Sequence, residues 1–186
     1  MNFNYKMYGN VDVQDLKNKI NTLDWTEHTL RQKLFKVHEH TQTLEIMWDM
    51  QSLQSDKIGK IHPNYYELNM ESFLNNIKPI YETNFGKGYF IRVLFVKLKS
   101  NTNIAPHVDT GKSLVNSKRT HIPIITNDLV TFTIGGETKQ LKEGEIWEIN
   151  NVKEHSVDNN SSEDRIHLLI DWYVYPVNNT VRKSIL

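Results

Sequence analysis

From Gly88 onward the sequence breaks into short runs rich in Val, Ile, Phe, Tyr and Thr, parted by clusters of Asn, Gly and Asp. The runs are GYFIRVLFVKLK, RTHIPIIT, LVTFTI, TKQL, EIWEIN, EHSVDN and RIHLLIDWYV. β-Branched and aromatic side chains fit a pleated, half-buried surface, so each run reads as a strand. Seven strands packed between Gly88 and Val174 imply a barrel or a sandwich. Asn127-Asp128 and Gly135-Gly136 tolerate positive φ, which predicts tight hairpins and antiparallel pairing at both places.

The first half of the chain reads differently. Val13, Leu16, Ile20 and Leu23 fall near helical spacing. Met70, Phe73, Leu74 and Ile77 repeat the i, i+3, i+4, i+7 pattern, which predicts a second helix that Pro79 interrupts. LRQKLFKV and TLEIMWD could extend a sheet. At 186 residues, one core suffices. The expected organisation is one domain over 1–186, with helices and leading strands in 1–87, the β core in 88–174 and a tail in 175–186.

Charge and cysteine content exclude several classes. Lys and Arg number 22 and so do Asp and Glu, so the chain carries no net charge with which to grip duplex DNA or an anionic membrane. The N-terminus lacks a signal-peptide pattern and no run approaches the ~18 apolar residues of a membrane span, so a cytoplasmic protein is expected. The sequons at Asn159, Asn160 and Asn178 then carry no meaning. Without cysteine there is no disulfide, thiolate metal site or thiol nucleophile, and any metal must be held by His and carboxylates. The eight histidines are therefore the residues to follow.

His107-Val108-Asp109 follows a strand and a turn. On extended backbone, side chains two apart share a face, so an imidazole and a carboxylate converge. Adding His155 makes a two-His, one-carboxylate facial set, the arrangement by which non-haem Fe(II) oxygenases keep three coordination positions open. A His-x-Asp pair alone is a weak signal, but its company strengthens it. Arg165, ten residues beyond His155 and across a turn, offers the planar fork that suits a dicarboxylate's distal end. Arg119 and His121 form an i, i+2 pair in RTHIPI, as do Arg165 and His167 in RIHLLIDW. Inward-facing Arg and His on otherwise apolar strands are costly to bury unless something charged meets them.

These stretches, PHVD, RTHIPI, GGETKQLKEGEIWEINNVKEHSVDN and RIHLLIDW, together resemble the aspartyl/asparaginyl β-hydroxylase family of Fe(II)- and 2-oxoglutarate-dependent oxygenases. RQKLFKVHEHTQTLEIMWD is similar to the leading strands of small bacterial and phage-like members. The resemblance implies a mainly β fold with flanking helices, the double-stranded β-helix or cupin-like jelly roll. It implies His107, Asp109 and His155 as iron ligands, Arg165 at the far carboxylate of 2-oxoglutarate, and Arg119 with His121 near the metal-chelating carboxylate. Some eukaryotic members carry Gly in place of the carboxylate ligand, whereas this chain keeps Asp109. A co-substrate serine of the family has no counterpart, Val96 falling near its place.

The activity so implied is a dioxygenase that consumes 2-oxoglutarate and molecular oxygen to hydroxylate an unactivated C–H bond. The substrate would be an amino acid or an Asp/Asn-type side chain of a peptide or protein, and the protein a monomer or homodimer. Arg92, Trp48 and Trp147 are candidates to line the mouth. His167 and Asp171 read as structural support for the metal ligands, and the His38-Glu39-His40 cluster could rim the pocket. A cupin-type metalloenzyme that does not use 2-oxoglutarate and a non-catalytic β-sandwich binding module are the alternatives from other classes.

Overall fold

The structure is a computed structural model and describes residues 2–26, 28–109 and 116–176. Among these residues ten strands form two sheets. The larger has the order β1 (Tyr5–Asn10), β8 (Glu145–Ile149), β5 (Ser117–Ile125), β10 (Arg165–Val174), β3 (Gly88–Leu98) and β2 (Thr41–Met47). The smaller has the order β4 (Thr102–His107), β9 (His155–Asn159), β6 (Val130–Ile134) and β7 (Glu137–Lys139). Neighbours pair antiparallel. The inner faces of both sheets contribute to one apolar cluster, in which Leu98 and Ile149 meet Ile104, Val130, Phe132, Ile134 and Val157. This is the mainly β, double-stranded β-helix architecture with flanking helices.

Strand parity explains how the larger sheet serves two purposes. Successive side chains point to opposite faces. On β3, Ile91, Val93 and Phe95 are fully buried, with Val93 and Phe95 in the core shared with the helices, and on β10 Ile166, Leu168, Ile170 and Trp172 join them. Thr120, Ile122 and Ile124 continue that face on β5. Helices α1 (Gln14–Ile20) and α4 (Met70–Phe85) supply Leu16, Ile20, Met70, Leu74, Ile77 and Tyr81 to the same core. Burial of each such aliphatic side chain is worth roughly 1.5–3 kcal/mol. The opposite parity, Arg92 on β3, Arg119 and His121 on β5, and Arg165, His167 and Asp171 on β10, turns toward the smaller sheet and is buried too.

Three local expectations change, and one strand was not expected. Helix α4 runs through Pro79 to Phe85 instead of stopping. The proline removes one amide donor, but the following turn carries Tyr81, whose ring packs 5.5 Å from Trp172 and whose hydroxyl bonds Thr120. LRQKLFKV forms helix α2 (Leu30–Leu34) and a 3-10 turn (Lys36–His38), not a strand. Its Leu, Arg, Gln and Lys residues are strong helix formers, and helical bonds such as Phe35 N–H to the Arg31 carbonyl, 2.9 Å, satisfy its backbone.

Asn127-Asp128 makes no hairpin, because β5 and β6 belong to different sheets. Asn127 instead closes an Asx turn, its Oδ1 accepting from Leu129 N–H at 3.0 Å. Gly135-Gly136 does join β6 to β7 as a hairpin, with φ of 54° and 84°. Finally, β1 gives no alternation signal because it is mostly exposed; it is held by pairing with β8 and by the Tyr5 hydroxyl donating to the Phe132 carbonyl at 2.8 Å. Residues 110–115, and residues 177–186 of the expected tail with the sequon at Asn178, lie outside the described residues. Helix α3 (Asn64–Glu67) precedes α4, and no helix among the described residues is long and apolar enough to cross a membrane.

Candidate metal centre

His107 ends β4 and His155 begins β9, and the two are direct partners across the antiparallel pair. Their rings lie 4.2 Å apart between centroids. Asp109 follows just past the strand end, anchored by its N–H to the Asn151 carbonyl at 3.1 Å. One ligating atom from each of the three residues falls within 4.8 Å of the others. The histidines are preset for a metal: His107 Nδ1 bonds the Ala105 carbonyl at 2.8 Å and His155 Nδ1 the Lys153 carbonyl at 3.0 Å. A carbonyl only accepts, so each Nδ1 carries the proton and each Nε2 presents a lone pair. This donor set, two imidazoles and a carboxylate with no thiolate, suits Fe(II).

Electrostatics keep Asp109 ionised. Burial opposes its charge, but Arg119, with His155 and His107, holds its carboxyl below the usual carboxylate range. Arg119 Nη1 donates to Asp109 Oδ2 at 2.8 Å, while its Nε and Nη2 grip the two oxygens of Asp171 at 2.8 and 2.9 Å. Arg92 Nε bonds Asp171 Oδ2 at 2.7 Å from the other side. Register places these three in one row, Asp171 opposite both Arg92 and Arg119. Asp171 is pulled down to about 2: burial opposes the shift, and the two guanidinium groups outweigh it. The chain Arg92–Asp171–Arg119–Asp109 thus fixes one carboxylate oxygen by a relay of charged bonds and leaves Oδ1 toward His107.

Deeper in, Arg165 has no such anion. It is 2 % exposed, lies 5.1 Å over the Phe132 ring and bonds His167 Nδ1 through Nη2 at 2.6 Å. Its Nε is buried and unpartnered, as are His167 Nε2 and both ring nitrogens of His121. Burial alone pulls the Arg165 guanidinium down to about 9, which still leaves it charged at neutral pH. An inner cavity of about 40 Å³ joins Arg165 and His121 to the cluster at His107, Asp109 and His155, and Val96, Phe132 and Val157 line it with apolar surface.

An outer cavity of about 330 Å³ adjoins it, sharing Arg31, His38, His107, Asp109 and Arg119. Trp48, Leu53 and Leu94 form its apolar wall. Arg31, from α2, donates through Nη2 to His38 Nε2 at 2.8 Å.

Of the residues singled out from the sequence, His107, Asp109, His155, Arg119, His121 and Arg165 line the inner cavity and Trp48 the outer one. Arg119 bonds Asp109 and Asp171 and so orients a candidate ligand. Arg92 is not at the mouth. It is 1 % exposed and ties Asp171 to the Ser52 carbonyl at 2.7 Å, because its strand position lies beneath the loop after β2. Trp147 lines neither cavity; it packs edge-on to Tyr5, its indole N–H bonding Glu145 at 2.8 Å. His38 does reach the rim, 6.1 Å from the His107 ring, whereas His40 sits beside Glu39, 3.8 Å away. Arg31 had no signal in the sequence, since its placement depends on α2 packing over the mouth.

Comparison with known proteins agrees with this geometry. The double-stranded β-helix fold is that of structures of the 2OG-Fe(II) oxygenase family, and the partly buried His-Asp-His cluster lies within it. The aspartyl/asparaginyl beta-hydroxylase family model matches residues 12–174, and the chain belongs to that family. No curated protein matches the sequence. Among solved structures, an oxidoreductase of the 2OG-Fe(II) oxygenase family from Burkholderia pseudomallei aligns over 89% of this chain and 91% of its own at 11% identity, with a TM-score of 0.57. HygX from Streptomyces hygroscopicus, with nickel, 2-oxoglutarate and hygromycin B bound, aligns over 92% and 83% at 10% identity (TM-score 0.56). The viral collagen prolyl hydroxylase of Paramecium Bursaria Chlorella virus-1, a 2OG complex, aligns over 94% and 98% at 10% identity (TM-score 0.53).

Proposed function

We propose that the chain is an Fe(II)- and 2-oxoglutarate-dependent dioxygenase that hydroxylates an unactivated C–H bond of an amino acid or of an Asp/Asn-type side chain. One observation carries this reading: a buried, charged arginine without a carboxylate partner among the described residues opens onto the same inner cavity as the His107–Asp109–His155 cluster. A metalloenzyme that needed no dicarboxylate would have no use for that charge, which is costly to bury alone.

His107 Nε2, His155 Nε2 and one oxygen of Asp109 would hold the iron. Bound Fe(II), together with 2-oxoglutarate and oxygen, supplies the oxidising power that turns C–H into C–OH while 2-oxoglutarate becomes succinate and carbon dioxide. The protein's own part is positioning. Arg165 receives the distal carboxylate, with His167 fixing the plane of its guanidinium. The buried nitrogens of His121 are free to donate to or accept from the bound acid. Arg119 would keep Asp109 ionised with its Oδ2 already engaged, and Val96, Phe132 and Val157 would keep water from the reacting groups. No side chain has to act as a general base.

The test is an anaerobic titration of the Fe(II)-loaded protein with 2-oxoglutarate, followed by its visible charge-transfer absorption. The band is expected for the native chain and lost in His155→Ala. In Arg165→Gln it needs at least ~10-fold more 2-oxoglutarate, as expected for a lost charged hydrogen bond. A native chain with neither the band nor succinate release against amino acids and Asp/Asn peptides would sink the assignment.

A further inference from the structure

Among the described residues Arg31 is a second cation near the metal cluster with no carboxylate in contact. Among the described residues no carboxylate lies within ion-pair distance of it. Glu45, which feels its field, lies 3.4 Å from His62. The Arg31 side chain is held in place: Nη2 donates to His38 Nε2, so His38 must carry its own proton on Nδ1. That N–H and Arg31 Nη1 are both buried and without an acceptor. Both residues line the outer cavity, where a planar fork and an imidazole N–H offer donors to one acceptor group.

The rest of the outer cavity says what that group is attached to. Trp48, Leu53 and Leu94 give an apolar wall, with Phe35 and Met50 toward the opening. Its volume, about 330 Å³, lies at the small end of the ~300–1,000 Å³ range of small-molecule sites. Charge matching points the same way. Arg92 and Arg119 are in contact with Asp109 and Asp171, and under the proposed function Arg165 meets 2-oxoglutarate, which leaves Arg31 with only the more distant fields of Asp109 and Asp171 among the described residues.

We infer that the substrate is a small carboxylic acid with an apolar body, its carboxylate held by Arg31 and His38 and its body laid against Trp48, Leu53 and Leu94, so that Arg31 selects substrate and Arg165 selects co-substrate. This rests on the proposed function, and the two can fail separately. Unlike an amide or apolar side chain in mid-chain, such a substrate presents a free carboxylate.

The experiment uses the full chain loaded with Mn(II) and 2-oxoglutarate under nitrogen. Calorimetric titrations compare cyclopentanecarboxylate, 4-methylpentanoate and 3-phenylpropanoate with their matched amides. At least one acid is expected to bind about tenfold tighter than its amide, a difference of roughly one charged contact. In Arg31→Gln that preference should vanish while the 2-oxoglutarate affinity, measured separately, stays within about twofold. Arg31→Lys, which keeps the charge, should retain part of it. Thermal melts of all three chains confirm that they are folded. The inference is overturned if no acid binds, if acids and amides bind alike, if the preference survives Arg31→Gln, or if Arg31→Gln loses 2-oxoglutarate as severely as acid. A native chain that takes up no 2-oxoglutarate defeats the proposed function instead.

Discussion

The larger sheet has two buried faces built from the same three strands and opposed in character. Toward α1 and α4, β3, β5 and β10 present Val93, Phe95, Ile122, Ile124, Leu168, Ile170 and Trp172, packed without charge. Toward the smaller sheet they present Arg92, Arg119, His121, Arg165, His167 and Asp171. The first face draws stability from apolar burial. On the second, ionised groups must recover their desolvation cost from one another or from a ligand. One residue of register separates them, and a slip by one position would exchange stability for chemistry along the whole strand.

The largest expected effects lie where the inner face meets the metal. His107→Ala or His155→Ala should abolish turnover and metal uptake, read as metal content after dialysis and as succinate release. Full activity in either variant would remove that residue from the cluster. The same variants should barely alter folding without metal, since both rings are at strand ends and bond only a local carbonyl.

Asp171→Asn, buried on the inner face between two guanidinium groups, should cost about 3–5 kcal/mol of stability by stranding Arg92 and Arg119. Ile170→Val, its neighbour on the other face, removes one methylene from a fully buried position and should cost only about 0.5–1.5 kcal/mol. Urea melts of the two variants set the faces against each other at adjacent positions. An Asp171→Asn chain as stable as Ile170→Val would mean that the charged row contributes nothing to folding.

How much of this contrast could be read from sequence depends on range. His107 and Asp109 were legible because i, i+2 spacing on a strand fixes their mutual geometry locally, and Arg165 because it continues the parity of β10. Arg92 has that parity too, yet faces Asp171 and the Ser52 carbonyl in place of a mouth, a fact of strand order and of the loop after β2. Trp147 shares the inner face as the register partner of His121 but is covered by Tyr5, on a strand too exposed to leave a pattern. The missed residue, Arg31, sits on LRQKLFKV, a segment expected to extend a sheet in which the helix-forming residues prevailed, whereas its partner His38 was expected at the rim.

Acid should separate the faces further. Burial holds the conjugate acids of His121 and His167 well below 6.5, so both fold neutral. The unfolded chain takes up protons there first; stability contributed by their neutral burial is whole above about pH 6.5 and falls as pH drops below it. Asp171, with a folded pKa of about 2 against 3.8 unfolded, adds stability that is present above 3.8 and lost between 3.8 and about 2. Two acid steps are therefore expected in melts of the metal-free chain, and His167→Phe should weaken the upper one.

The smallest effect expected is a change of sign. Without 2-oxoglutarate, Arg165 is a buried cation balanced only by the Phe132 ring and His167. Arg165→Met keeps an unbranched, flexible stem, shorter than that of arginine, and removes the charge. It should leave the metal-free protein unchanged or more stable by about 1 kcal/mol, because an uncompensated buried charge costs more than it returns. The native chain should gain stability from 2-oxoglutarate with Mn(II), by ~2.7 kcal/mol at a hundredfold excess over the dissociation constant, and the variant should not. Destabilisation of the metal-free variant by several kcal/mol would show that Arg165 is an ordinary structural cation. In that case the two faces would differ only in composition, since the inner one would no longer be held incomplete for a ligand.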